Sequence, residues 1–487
     1  MTRSLFLLTA LGLLTSACPA PSDSSTTPPP TDPPPLDDEL PPVTSEASAL
    51  CDPTNLEPSD VPAITFTNAS LLVRVLADGT EEILHDFATA EHDEVSIRSL
   101  ITAGSFSAVL GRSDVSGQFF ATFDSDGELI AKDFRNGTSL PHINDMYLNE
   151  EGWMTAYTGQ WSGFVVSPEG NYMELPNVVP TAAPFAGGRV SVVRNEWAEH
   201  ERAWWTPESG LEPLAFSPRE FLLHRVGDHL VYTADVGDGD LQLILEDGET
   251  VEQIDLPDDA PRVEPIETER WVMLGGAPHS GNAFRVIRVA PSTGTIQDLD
   301  VELPEGFWTM RNGTLDLDAT GALILPIRTD GAAGLFRSEN GLDWELIGEA
   351  VYGMMNLVNG NRGGAVLSRA VPNMGSPFTD EEYGQIDTSW TPIEGDHFQF
   401  IRPSDGQSWV LPAAPAGEFW GWGWAEDTRA QHYISRDGTC AAYWDTESQS
   451  GPQLRLIHID EGPLDLMLSS GDGSISSQVG PIAFYNL

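Results

Sequence analysis

Lysine is almost missing from this chain of 487 residues. Lys132 is the only one, so nearly all of the 24 basic residues are arginines, and they face 74 acids for a formal charge of −50. A field of that sign repels phosphate backbones, which excludes nucleic acid as a general partner. Long apolar runs are missing too. The longest lies at the start, about ten residues from Leu5 to Leu14, too short to cross a hydrocarbon core of roughly 30 Å as a helix. Cysteine is scarce, with three residues (Cys18, Cys51, Cys440) and no paired ligand spacing. The ten histidines show no His-x-x-x-His or comparable pattern, so zinc is unsupported. No P-loop, dinucleotide fingerprint or Gly-x-Ser-x-Gly elbow occurs. No stretch after residue 50 keeps a period of 3.6, which argues against helices.

What is present begins with an export signal. Arg3, the apolar run and the small residues Thr15-Ser16-Ala17 before Cys18 form the three parts of a secretory signal, expected over residues 1–17. Thr15 to Cys18 resembles the lipobox of bacterial lipoproteins, with Thr15 where an aliphatic residue is usual. The resemblance implies lipidation of Cys18 and a membrane partner held through that lipid. Pro19 in place of Asp implies the outer membrane by the same resemblance. Ordinary cleavage nearby, leaving a free Cys18, is the alternative.

Residues 18–50 are rich in Pro, Ser, Thr and acid and hold few large apolar side chains. Such a segment buries too little surface to offset its ordering entropy, and its prolines favour extended conformations. It is expected to be a disordered tether that holds a globular body, residues 51–487, clear of a surface. With Cys18 acylated, Cys51 and Cys440 remain as a pair in an oxidising compartment, where a disulfide is the default. The loop it would close is worth on the order of 5 kcal/mol in chain entropy. Two buried free thiols are the alternative.

The body repeats one unit: strand, tight turn with glycine, strand. The turns are Ala77-Asp78-Gly79, Ser125-Asp126-Gly127, Pro168-Glu169-Gly170, Glu208-Ser209-Gly210, Glu246-Asp247-Gly248, Ser292-Thr293-Gly294, Glu339-Asn340-Gly341, Ser404-Asp405-Gly406 and Asp460-Glu461-Gly462. Glycine supplies the positive φ that tight hairpins require. Most turns recur at intervals of about 40 to 50 residues, with a further strand pair upstream, the pattern of β-propeller blades. The expectation is an all-β chain with a single propeller of about eight four-stranded blades, seven or nine being the neighbouring counts. The C-terminal VGPIAFYNL is placed in the first blade, closing the ring. Residues 370–395 break the period and read as an inserted loop. An open solenoid is the runner-up.

Ser338, Asn340, Gly341 and Trp344, in GLFRSENGLDWELIG, resemble the Asp-box turn of sialidases and other BNR-type propellers, with one residue deleted. In those families the turn stabilises a hairpin away from the active site, so the resemblance implies fold and not activity. Trp420, Trp422 and Trp424 alternate with glycine in Phe419-Trp-Gly-Trp-Gly-Trp424. On a strand they share one face, either as a stacking platform for a sugar or apolar ligand or as core between blades. Calcium is the one ion worth weighing, at Asp124/Asp126, Asp235/Asp238/Asp240 and Asp316/Asp318, but none of these completes a binding loop and each sits where Asp favours a turn. No cofactor, catalytic residue or metal ligand is therefore assigned. Two readings of function follow: a non-catalytic surface module that binds protein or glycan, and a sialidase-like or other glycan-processing hydrolase, which would need arginines and a close carboxylate pair to converge.

Overall fold

The computed structural model describes residues 51, 61–68, 70–88, 95–113, 117–135, 143–158, 162–196, 199–219, 223–237, 240–264, 271–275, 283–304, 308–309, 315–318, 320–328, 333–349, 355–362, 365–370, 397–402, 406–411, 434–435, 438–445, 453–468 and 479–485. Cys18, the segment 18–50, the expected loop at 371–395 and Trp420, Trp422 and Trp424 lie outside them. Residues Glu39–Leu487 form one compact unit.

Among the described residues the strands form nine antiparallel sheets, taken here as blades 1 to 9 in chain order. Blade 2 shows the plan, with Val95–Ala103, Phe106–Ser113, Gly117–Phe123 and Leu129–Arg135 paired in succession from first to fourth strand. Inner strands of successive blades touch. Val95–Ala103 meets Val479–Phe484 on one side and Ile143–Leu148 of blade 3 on the other. The architecture is a β-propeller, and its nine blades fall at the upper of the counts that the turn spacing allowed.

Period two explains why each sheet is sealed on both faces. Along the third strand of blade 2, Phe119 and Ala121 join the cluster shared with Leu72 and Phe87 of blade 1. Phe120, between them, joins Met146, Met154 and Phe164 of blade 3. Blade 5 repeats this: Leu230, Tyr232 and Ile244 pack on Phe185 and Trp204 of blade 4, whereas Val231, Leu243 and Leu245 pack on Val272 and Ile287 of blade 6. The core is thus a circle of seams between sheets.

Eight of the nine glycine turns lie between the third and fourth strands of a blade, and the ninth, Asp460-Glu461-Gly462, joins the last two strands described in blade 9. Their glycines all have φ between +65° and +88°, the left-handed region. At Gly170 space matters as well as angle, because a Cβ would sit 2.8 Å from the backbone oxygen of Ile130 in the previous blade.

Closure uses both ends of the chain. Pro62–Asn68, Leu71–Leu76 and Glu81–Asp86 supply three strands of blade 1, and Val479–Phe484 adds the innermost, pairing with Pro62–Asn68. Thr102 Oγ1 donates to the Phe484 carbonyl, binding the last strand to blade 2. Cys51 and Cys440 are disulfide-bonded, with Cα atoms 6.1 Å apart, inside the buried cluster that joins blades 9 and 1. Among the described residues blade 9 has three strands, and Ile434 makes an isolated bridge to Ala441 on the inner side of the first of them.

Candidate binding face

Antiparallel strands divide the ring into two ends. The turns between third and fourth strands all emerge at one, here the turn end, together with the turns between first and second strands. Connections between second and third strands, and from one blade to the next, emerge at the other, the loop end.

The turn end is short and heavily bonded. Its third-to-fourth turns contain three to six residues. Several are held by an arginine from the previous blade, reaching across 51 to 58 residues of sequence, roughly one blade. Arg74 of blade 1 donates to the carbonyls of Ser125 (2.8 Å) and Asp126 (3.2 Å) in the turn of blade 2 while pairing with Glu82 at 2.7 Å. Arg189 donates to Asp247 O of blade 5 at 3.3 Å, and Arg402 of blade 8 donates to the Asp460 carboxylate of blade 9 at 2.6 Å. Arg288 of blade 6 is almost fully buried and donates to Gln297 Oε1 (2.5 Å), Glu339 O (2.7 Å) and Gly321 O. A guanidinium can serve several acceptors in a fixed fork, which an ammonium cannot. Burial pulls the Arg288 pKa down to about 10 against the opposing charges of Asp318 and Glu339, so the group is still a cation at neutral pH.

The sequence-selected residues of this end have structural partners. Ser338 Oγ accepts from Gly341 N at 2.9 Å, and Asn340 Oδ1 accepts from the amides of Leu342 and Asp343. Trp344 Nε1 donates to Glu302 O of blade 6 at 3.0 Å, so the Asp-box-like turn fastens one blade to another. Asp124 Oδ1 accepts from the amides of Asp126 and Glu128. Asp318 Oδ1 accepts from those of Thr320 and Ala322, and its Oδ2 meets Arg337 Nε at 2.7 Å. Asp316, also buried, accepts from the Leu317 amide. The described oxygens of Asp124 and Asp318 are engaged by amides and a cation, and among the described residues no group of three metal-ligating side chains comes together. Asp235 and Asp240 stand exposed on neighbouring strands of blade 5, and Asp238 lies outside the described residues. Arg74, Arg189, Arg288 and Arg402 reach turns at separate seams, so they do not build the arginine cluster that a sialidase-like site needs.

One buried carboxylate was hidden by its place beside a turn. Glu246 is 1% exposed and accepts from Trp204 Nε1 (2.7 Å), Tyr232 Oη (3.1 Å) and the amide of Ala215 (3.2 Å). These partners fix the connection from blade 4 to blade 5. Its neighbours are separated by up to 42 residues, and no local pattern could show them.

The loop end is built differently. Its connections range from two residues, 176–177, to 26 residues, 371–396, whose flanks Ala370 and His397 pair directly. The passage from blade 8 to blade 9 runs from Leu411 to Ile434 and carries the Trp420–Trp424 run. Both of the features that interrupt the repeat therefore leave and rejoin the ring at its loop end.

No family model matches the chain, and no curated protein matches it. Solved structures do. A structure titled as the eukaryotic initiation factor matches 88% of this chain and 99% of its own at 9% identity, TM-score 0.47. The WD40 domain of SCAP from fission yeast matches 76% and 96% at 10% identity, TM-score 0.35, and TolB from Acinetobacter baumannii 81% and 82% at 10%, TM-score 0.27. Identities and scores of this size carry nothing about function. The propeller assignment stands on the strand order.

Proposed function

We propose that this chain is a lipid-anchored propeller of the cell envelope, held through Cys18 in the outer membrane, that binds a protein or glycan at its loop end without catalysing a reaction. One observation carries the reading: the two ends of the ring are unequal, and the chain enters at the tight one. Pro62 starts a second strand and Cys51 is bonded to Cys440 at the start of another, so the segment before the ring arrives at the turn end. Loops on a rigid scaffold are where a partner is commonly met, and the loop end is the end of the ring that carries the longer connections. Trp420, Trp422 and Trp424 are the residues proposed to stack against it, since aromatic faces suit both sugar rings and apolar side chains.

Mass spectrometry of the mature N-terminal peptide tests the anchor, with a diacylglycerol-modified Cys18 expected and an unmodified N-terminus overturning it. For the binding face, the purified chain is screened on a glycan array and against envelope proteins by cross-linking. Replacing Trp420, Trp422 and Trp424 by alanine is expected to lower captured ligand at least about tenfold, a loss of about 1.4 kcal/mol, while the melting temperature is kept. A folded triple variant that binds as well as the parent would remove these residues from the face. Turnover of labelled glycosides above a blank would overturn the non-catalytic reading and favour a hydrolase.

A further inference from the structure

The one lysine of the chain does not sit on an open surface. Lys132 lies on the fourth strand of blade 2 and is half-buried, at the rim of the seam with blade 1. Its Nζ is 3.3 Å from Nε2 of His85 and 5.2 Å from the centre of the Phe87 ring. His85 belongs to the fourth strand of blade 1, and its imidazole packs edge-on to Phe87 at 4.7 Å and against Phe123 at 5.8 Å. The charge of Asp86 acts on both groups, and its Oδ1 accepts from Ser70 Oγ and the Ala88 amide. All other cations in the chain are guanidinium groups, which are not nucleophiles at neutral pH.

We propose that Lys132 is a carbonyl-capture site, in which its amine condenses with a small neutral aldehyde to form an imine, with His85 as the proton carrier. An amine becomes a nucleophile when apolar surroundings disfavour its ammonium form, and a neighbouring base completes the pair. His85 supplies the base at 3.3 Å, while the Phe87 face below Nζ holds the amine in place and by itself favours the ammonium, so the shift comes from burial. Burial holds Lys132 below the usual lysine range, with Asp86 opposing. Burial, then the charge of Lys132, holds His85 below its ordinary value, again with Asp86 opposing, so the imidazole is a neutral acceptor at pH 7.

The step balances without a redox partner. The ammonium passes one proton to solvent, and the Nζ lone pair then forms a bond to the aldehyde carbon while the carbonyl electron pair moves to oxygen. Nitrogen gives a proton to Nε2 of His85 and oxygen takes one from solvent, leaving a carbinolamine. His85 returns its proton to the hydroxyl, water departs, and nitrogen closes the C=N bond with release of its last proton. The sum is amine plus aldehyde giving imine plus water. A net charge of −50 around the site repels anionic carbonyls such as keto acids and sugar phosphates, which selects neutral aldehydes, the open form of a reducing sugar among them. This site lies on the outer rim and is independent of the loop-end reading.

The test incubates the full chain with glycolaldehyde and cyanoborohydride near pH 7 and measures adduct on the Lys132 peptide by mass spectrometry. The same reaction of Nα-acetyl-lysine amide is the reference. Lys132 is expected to react at least about tenfold faster than the reference, less than the roughly hundredfold or more that a positioned acid–base partner typically contributes. His85→Gln is expected to lose most of that gain. The anionic aldehyde glyoxylate is expected to lose it too. A wild-type rate at or below the reference overturns the proposal, as does a folded His85→Gln chain that reacts as fast as the parent. Should that variant not fold, the wild-type pH profile decides. A rate that levels off below the range of free lysine supports the proposal, and one that climbs with free lysine overturns it.

Discussion

Between blades 1 and 2 the facing surfaces are aromatic, whereas between blades 6 and 7 a buried guanidinium sits in the seam. In the first, Phe87 lies 5.1 Å from Phe119 and 6.3 Å from Phe123, all three almost fully excluded from solvent. In the second, Arg288 reaches Gln297, Gly321 and Glu339, while Arg337 reaches Asp318 and Glu339. An apolar seam gains from area alone and tolerates small shifts of one sheet on the other. A polar seam gains little net energy from each bond but fixes where the next blade sits, because an unmet acceptor in the interior is costly. The two devices can share a seam, since Arg74 also crosses from blade 1 to the turn of blade 2, and the arginines of this kind act where a turn must be placed.

The largest effect should come from the aromatic seam. Phe119→Ala removes a fully buried ring from between two sheets and is expected to cost about 4 kcal/mol, read as a lowered urea midpoint. Next is the polar seam, where Arg288→Met leaves three acceptors unmet and should cost about 3 kcal/mol. Arg288→Lys should recover little of this, since one ammonium cannot span the three positions, and full recovery would show that charge alone matters. The smallest effect concerns acid. His224, on the inner strand of blade 5, has its pKa pushed down to about 4 by burial, so the folded chain keeps it neutral while the unfolded chain protonates it near 6.5. Stability from this group is complete above the unfolded value and is lost as pH falls toward the folded one, by about 2 kcal/mol between about pH 7 and about pH 5. His224→Phe should flatten that part of the stability profile. An unchanged slope would place acid sensitivity in the carboxylates instead.

The turns were legible because their information is local. Each needs a residue with positive φ, only glycine accepts it freely, and all nine glycines read from the chain have it. The place of the C-terminal segment in the first blade was legible too, and with Val479–Phe484 paired to Pro62–Asn68 the described sheets number nine, where the turn spacing allowed seven to nine. The disulfide was legible from cysteine arithmetic, since Cys51 and Cys440 are the pair left once Cys18 is set aside. The bonds of Arg74, Arg189, Arg288 and Arg402 were not, because their partners lie one blade away and nothing in an arginine marks the seam it will cross. An arginine placed 51 to 58 residues before a glycine turn is the signal that could have found them. Glu246 was missed for a related reason, since its role depends on Trp204 and Tyr232 meeting across two sheets.

Blade 1 is assembled from segments at opposite ends of the ring's sequence, residues 62–86 and Val479–Phe484. A ribosome that has delivered everything up to residue 478 has still not delivered the innermost strand of the first sheet, and the edge of Pro62–Asn68 stays unpaired until it does. Completion of the circle therefore waits for residues 479–484, and until they arrive the sheets before them stand as an open row. Truncation of the final strand would leave the first and ninth blades joined by the Cys51–Cys440 bond and by what remains of the apolar cluster around it, with Phe66 against Trp444.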